Sequence, residues 1–282
     1  MDYVLKTKNY ILGDLIGSDI KDEIEIKCYV RKDREHIEPV IIRQMFEEDS
    51  WRLKQFKEKF GEMKTIVDIG GHIGMAGLVM KQHWPDATLL AYEPNKVSSE
   101  LYNKNMLANK ISNFKVFNMG VSYDKNLNTV VMSDQESTVS MLVTLDEARK
   151  LLNRDVSESE ISDKASVLRN CFGNWKDYTI ESNNIKTITL EEIINNNDLE
   201  SIDILKLDCE GAEIDLIVNC DKKSLDKIKC IMCEYHISGG LKKIMEIAKD
   251  KFDNFILYDN LGNPSNLNCT QSICEFWAFK KE

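Results

Sequence analysis

Thr65-Ile66-Val67-Asp68-Ile69-Gly70-Gly71-His72-Ile73-Gly74 decides the fold. An apolar run breaks into closely spaced glycines, and a helical pattern predicted over about residues 73–83 ends near Trp84-Pro85. Glycine at a strand-to-helix junction lets the backbone turn sharply and lets a ligand approach the main chain. The helix N-terminus behind it offers free N–H groups.

Working outward, Ala87–Asn95 (ATLLAYEPN) reads as a second strand stopped by Pro94, Ser98 to Asn109 as a helix, and Phe114–Ser122 (FKVFNMGVS) as a third strand. Strands alternating with helices of this length predict a parallel sheet of right-handed βαβ units. The alternation pauses over 133–180, where Thr144 to Asn153 and Glu160 to Asn170 look helical, so a helical insert is expected. It resumes with a helix at 187–197, a strand at 202–208, a helix at 211–219, a strand at 229–235 and a helix from Leu241 to Lys251. The last two strands, 255–258 and 273–280, are separated by a Gly-Asn-Pro-Ser turn and no helix, which predicts antiparallel pairing at a hairpin-like edge. Ahead of the sheet, residues 22–31 alternate as a half-buried strand does. Ile37 to Phe60 has helical spacing broken at Asp49-Ser50. The expected organisation is therefore an N-terminal strand-and-helix segment over 1–60 and an α/β domain over 61–282.

The glycine loop does not fit a dinucleotide. The Gly-x-Gly-x-x-Gly spacing read from Gly70 would put glycine at 72 and 75, where this chain has His72 and Met75. The second strand, however, ends in Tyr92-Glu93-Pro94-Asn95. An acid at the end of that strand, about 20 residues past the loop, is placed to accept hydrogen bonds from ribose hydroxyls. A nucleoside without a diphosphate points to S-adenosylmethionine. His72 reads equally as a hydrogen bonder within the loop or as a neighbour of the ligand.

A second constellation is Ser201 to Glu213 (SIDILKLDCEGAE). It puts Asp208 and Glu210 at the C-terminal end of a strand, the edge where ligands bind in open α/β sheets. Lys206 shares a strand face with Asp208, and a lysine inside an apolar strand is costly unless a carboxylate pairs with it. The following strand ends Cys233-Glu234-Tyr235-His236. Asp208, Glu210, Glu234 and His236 could thus converge, either around acid–base chemistry or around a divalent metal such as Mg²⁺.

Taken together, Asp68 to Gly74, Tyr92 to Asn95, Leu205 to Glu213 and Glu234 to His236 resemble the FkbM family of S-adenosylmethionine-dependent methyltransferases. The resemblance implies a class I methyltransferase (Rossmann-like) fold: a seven-stranded sheet with an antiparallel last strand and helices on both faces. It also implies methylation of a hydroxyl, often on a sugar, polysaccharide or natural product. It assigns the methionine end of the cofactor to Asp68, Gly70, Gly71, His72, Ile73 and Gly74, the ribose to Glu93 with Pro94 and Asn95 beside it, and the adenine to Asn118 and Met119. The family loop more often carries Ala-Asn where this chain has Gly71-His72.

A hydroxyl nucleophile must lose its proton, and imidazole titrates near neutrality, so His236 is the first candidate base and Asp208 the second, with Lys206 and Glu210 beside them. Two alternatives are a non-catalytic binding protein on the same scaffold and, against the missing glycine, a nicotinamide-dependent oxidoreductase.

With 282 residues, 43% hydrophobic and 30% charged, the chain is long enough to bury a sizeable core. Its net charge of −10 argues against a nucleic-acid partner. The eight cysteines sit mostly in apolar runs, and the first residues hold no stretch of signal or membrane-spanning length. Reduced thiols and a cytoplasmic location are expected. The Cys230-x-x-Cys233 pair falls inside a strand, with side chains on opposite faces, so it reads as core packing. The expected partner is a small-molecule or glycan acceptor rather than nucleic acid or membrane, and a homo-oligomer is compatible. Phe172, Trp175 and Tyr178 in the insert would seat it on the core or line a pocket.

Overall fold

Two units make up the chain, Met1–Phe117 and Asn118–Glu282. The computed structural model describes residues 2–8, 23–47, 49–124, 126–133, 140–144, 146, 178–182, 184–210, 212–235, 246, 251–259, 263–265 and 274–280.

In the first unit, β1 (Asp2–Lys8) pairs antiparallel with β2 (Glu23–Tyr29), from Asp2 opposite Tyr29 to Lys8 opposite Glu23. The sequence predicts only the second of these strands. The expected helical stretch splits as its Asp49-Ser50 break suggests, into α1 (Glu38–Glu47) and α2 (Leu53–Phe60). The Asp49 carboxylate accepts from the backbone N–H of Leu53 at 2.8 Å and of Lys54 at 3.2 Å, which satisfies first-turn donors of α2.

Next come β3 (Thr65–Ile69), α3 (Met75–His83), β4 (Thr88–Tyr92), α4 (Lys96–Ala108) and β5 (Phe114–Phe117). The three strands are parallel. β3 and β4 are almost wholly buried, as the apolar strands of a covered parallel sheet are. Two asparagines one turn apart tie α4 to β2. Asn105 Oδ1 accepts from Tyr29 N–H at 2.6 Å and its Nδ2 donates to Tyr29 C=O at 3.1 Å. Asn109 does the same with Lys27, at 3.0 and 2.7 Å.

The second unit begins where the third strand was expected to continue. That strand stops at Phe117. Gly120–Val121 forms β6, parallel to β10 (Thr187–Ile188), because Gly120 N–H donates to Lys186 C=O and Ser122 N–H to Ile188 C=O. Asn118 and Met119 are thus the link between β5 and β6 rather than the end of a strand. The insert, expected to be helical, carries strands at its described ends: β7 (Thr129–Ser133) pairs antiparallel with both β8 (Ser140–Val143) and β9 (Tyr178–Ser182). The helices expected across 144–170 lie almost entirely outside the described residues, as do Phe172, Trp175 and most of 241–251.

Helix α5 (Leu190–Asn196) starts with a reciprocal capping box between Thr189 and Glu192. Then follow β11 (Ile202–Leu207), α6 (Glu213–Val218), a short α7 (Lys222–Asp226) absent from the sequence reading, β12 (Ile228–Tyr235), β13 (Asn254–Tyr258) and β14 (Cys274–Phe279). β14 is antiparallel to both β12 and β13. The seven-stranded sheet has the order β13-β14-β12-β11-β3-β4-β5. The reversed last strand is as expected, and β13 with β14 forms the hairpin-like edge of the sheet, β14 lying between β13 and β12. Cys230 and Cys233 are buried free thiols. Burial pushes both well above the ordinary thiol range, so they behave as small hydrophobes.

Candidate active site

The loop after β3 has left-handed backbone at Gly70 (φ 75°), His72 (φ 49°) and Gly74 (φ 90°). Gly70 and Gly71 N–H groups both donate to Tyr92 C=O, at 3.0 and 3.3 Å, which pins the loop to the end of β4. Tyr102, from the core face of α4, lies against the loop and donates its hydroxyl to Asp68 Oδ2 at 2.8 Å. A Cβ at Gly71, Gly74 or Gly77 would come within 3.0 Å of the Tyr102 side chain. The glycine spacing therefore has an internal reason: it makes room for this ring. Burial, the Asp68 charge and the hydrogen bond to Asp68 push the Tyr102 phenol well above its usual range, so it stays a neutral donor. Asn105, three residues on, donates to Ile73 C=O at 2.8 Å.

Glu93 follows directly on β4. Its N–H donates to Phe117 C=O at 3.1 Å, and the preceding Tyr92 ring stacks on Phe117 with centroids 4.8 Å apart. The carboxylate is only 6% exposed. Oε2 accepts from His72 N–H and Oε1 from Asn95 N–H, both at 2.8 Å. Two backbone amides fix its orientation. Asn95 is the N-cap of α4: its side-chain oxygen accepts from Ser98 N–H at 2.8 Å.

The His72 ring reaches back to α1, with Nε2 3.4 Å from Glu38 Oε1. Arg31 clamps the same carboxylate, donating from its backbone N–H to Oε2 at 2.6 Å and from Nε to Oε1 at 2.7 Å. Burial alone would raise the Glu38 carboxyl. The neighbouring His72 imidazole, with the two hydrogen bonds from Arg31, holds it below its ordinary value instead. Sequence reasoning missed Arg31, Glu38, Tyr102 and Asn105. The last two left a signal, since a tyrosine and an asparagine three apart on the buried face of an amphipathic helix need polar partners.

In the second unit, Lys206 is 1% exposed on β11 and its Nζ lies 3.4 Å from Asp208 Oδ2, the pairing expected from their spacing. Asp208 itself is part-exposed. Cys209 N–H donates to Glu213 Oε1 at 2.8 Å, so the buried first residue of α6 fastens the turn that follows the strand. Glu210 adopts a left-handed φ of 52°. Glu234, near the end of β12, faces Glu275 of β14 across the sheet. Among the described residues no three His, Cys, Asp or Glu side chains gather as a metal-ligating group, so Asp208, Glu210 and Glu234 do not make one by themselves. His236 lies outside the described residues.

A family model, the methyltransferase FkbM domain, matches residues 68–257, more than half of the chain. The chain belongs to the FkbM methyltransferase family. Methyltransferase sdnD of Sordaria araneosa is 27% identical over 193 residues, covering 66% of this FkbM methyltransferase and 72% of the relative. The AMB antimetabolite synthetase AmbE of Pseudomonas aeruginosa is 26% identical over 177 residues, which is 61% of this chain but 8% of that one. Among solved structures, precorrin-6y C5,15-methyltransferase from Geobacter metallireducens overlaps with a TM-score of 0.40 at 10% identity, covering 82% of this chain and 87% of the other. An overlap that loose says nothing of substrate. Membership makes this chain an S-adenosylmethionine-dependent methyltransferase by family and leaves the nicotinamide alternative without support. Among the described residues no helix is long and apolar enough to cross a membrane.

Proposed function

We propose that this methyltransferase transfers the methyl group of S-adenosylmethionine to a hydroxyl oxygen of a sugar, glycan or natural-product small molecule. The observation that carries the cofactor half is the Glu93 carboxylate. It is nearly buried, oriented by two backbone amide donors, and set at the carboxyl end of a parallel strand beside a glycine loop. A ribose offers two vicinal hydroxyl donors, and a carboxylate presents two acceptor oxygens at matching spacing. By the family resemblance, Asp68 and the glycine loop Gly70 to Gly74 would take the methionine end, and Asn118 with Met119 the adenine. The name of the AmbE relative, an antimetabolite synthetase, favours a natural-product acceptor.

The cofactor supplies an electrophilic methyl on a cationic sulfonium, which departs as a neutral thioether when the new oxygen–carbon bond forms. The chain must then align an acceptor hydroxyl and take its proton. Asp208, held by the Lys206 ammonium and partly open to solvent, is one acceptor for that proton. His236, two residues beyond Glu234, is the other.

Calorimetry with S-adenosylhomocysteine tests the cofactor half. Wild type binds, and Glu93→Gln weakens binding at least about tenfold, since two hydrogen bonds to a charged group are worth about 1.5–3 kcal/mol each. A wild type that does not bind S-adenosylhomocysteine overturns the reading. Labelled-methyl transfer to a panel of hydroxyl compounds tests the acceptor half. Near-wild-type turnover in both Asp208→Asn and His236→Ala would remove the two from the base role.

A further inference from the structure

We propose that Glu38, in the segment ahead of the sheet, is a positioning residue for cofactor binding that acts through His72 on Glu93. The proposal rests on the reading of Glu93 as the ribose acceptor. Three contacts make the chain of action. Arg31 fixes both oxygens of the fully buried Glu38 carboxylate, at 2.6 and 2.7 Å. Glu38 Oε1 lies at ion-pair distance from His72 Nε2, 3.4 Å, without hydrogen-bond geometry. The backbone N–H of that histidine donates to Glu93 Oε2 at 2.8 Å.

The backbone at residue 72 explains why a ring is needed. At φ 49° a non-glycine residue carries a steric strain that glycine would not. The loop uses glycine at 70, 71 and 74, yet residue 72 carries an imidazole. Anchored at its tip by a clamped carboxylate, the imidazole holds its own peptide N–H aimed at Glu93. Glycine at this position would adopt the same φ but leave the amide free to swing. The N-terminal segment thereby contributes to nucleoside affinity while Glu93 does the binding.

The test is calorimetry on the full chain with three probes: S-adenosylhomocysteine, adenosine, and 2′,3′-dideoxyadenosine, which lacks both hydroxyls that Glu93 would accept from. The proteins are wild type, His72→Ala, His72→Gln and Glu38→Gln. His72→Ala should lose about five- to tenfold in affinity for the two hydroxylated probes, the worth of one aligned hydrogen bond. It should bind the dideoxy probe as wild type does. His72→Gln, whose side-chain amide offers an N–H at about the reach of Nε2, should recover most of the loss. Glu38→Gln, if it folds, should match His72→Ala, and the double variant should be no worse. If Glu38→Gln fails to fold, the alanine and glutamine variants of His72 decide alone. An equal loss for the dideoxy probe, no loss at all, or a glutamine variant as weak as alanine overturns the proposal. A wild type that binds none of the hydroxylated probes overturns the Glu93 reading instead.

Discussion

Gly77 lies inside α3, where alanine would ordinarily add about 0.5–1 kcal/mol of helix stability. Packing against Tyr102 reverses that sign. A Cβ at 77 meets the Tyr102 hydroxyl oxygen first, then its Cζ at 2.8 Å and Leu89 Cδ2 at 3.2 Å. Neither neighbour can retreat easily: both are fully buried, and the hydroxyl is tied to Asp68 at 2.8 Å. Overpacking a filled core costs about 1–3 kcal/mol, so Gly77→Ala should destabilise by that amount. Tyr102→Phe should cost about 1.5–3 kcal/mol, because it removes a hydrogen bond to a buried carboxylate. The two losses should not add. Phenylalanine lacks the atom nearest the new methyl group, so Gly77→Ala should cost about 1 kcal/mol less in the Tyr102→Phe background. Urea unfolding of the four proteins at neutral pH, followed by far-ultraviolet ellipticity, measures the coupling if the slopes agree. Losses that add within about 0.3 kcal/mol, or an alanine variant as stable as wild type, would refute the role of Tyr102 in setting the glycine spacing.

Three other predictions follow from the same contacts. Asp208→Asn removes the carboxylate 3.4 Å from the buried Lys206 ammonium. The expected loss is about 1–3 kcal/mol, discounted for the partial exposure of Asp208, and Lys206→Met in the same chain should restore part of it in thermal melts. His83 is pushed down to about 4 by burial and by the Lys57 charge. Its folded-state value lies below the unfolded one, so between pH 6.5 and 4 the unfolded chain takes up a proton that the folded chain refuses. Stability should therefore fall with pH across that window, by about 3 kcal/mol in all, and His83→Gln should flatten the slope in urea titrations at stepped pH. Asn105→Ala strips partners from Tyr29 N–H, Tyr29 C=O and Ile73 C=O. At about 1–3 kcal/mol for each buried or part-buried group left unsatisfied, the melting temperature should drop by roughly five to fifteen degrees, read by differential scanning calorimetry.

The parallel core was legible because its strands are short apolar runs separated by helices, and the reversed β14 because the sequence carries a Gly-Asn-Pro-Ser turn and no helical pattern between the last two strands. Local pattern could not place partners far apart in sequence. Gly120 and Val121 extend the apolar run of β5, but their pairing is set by Lys186 and Ile188 on the far side of the insert. The β7–β9 pairing was hidden for the same reason: it joins residues about fifty apart, beyond any local periodicity. β1 is a short strand of mixed polarity whose only signal is its register with β2. In the site, Glu93 and the Lys206–Asp208 pair were legible from strand ends and spacing. Tyr102 and Glu38 were not, because Asp68 lies 34 residues from one and His72 as many from the other. Asn95 shows the opposite limit. A cap and a ligand contact look alike in sequence, and the structure uses its side-chain oxygen to start α4.

The paired asparagines of α4 also bear on how the chain behaves in company. Along an open strand edge, alternate residues present N–H and C=O groups outward, a template on which a foreign strand can lay itself down. Asn105 and Asn109 occupy those places on Tyr29 and Lys27, where an i to i+4 step on a helix nearly matches two residues of strand. A helix therefore stands in for a neighbouring strand. Replacing Asn109 would leave the Lys27 position of β2 open to intermolecular pairing, so solubility at high concentration depends on an amide far from any chemistry.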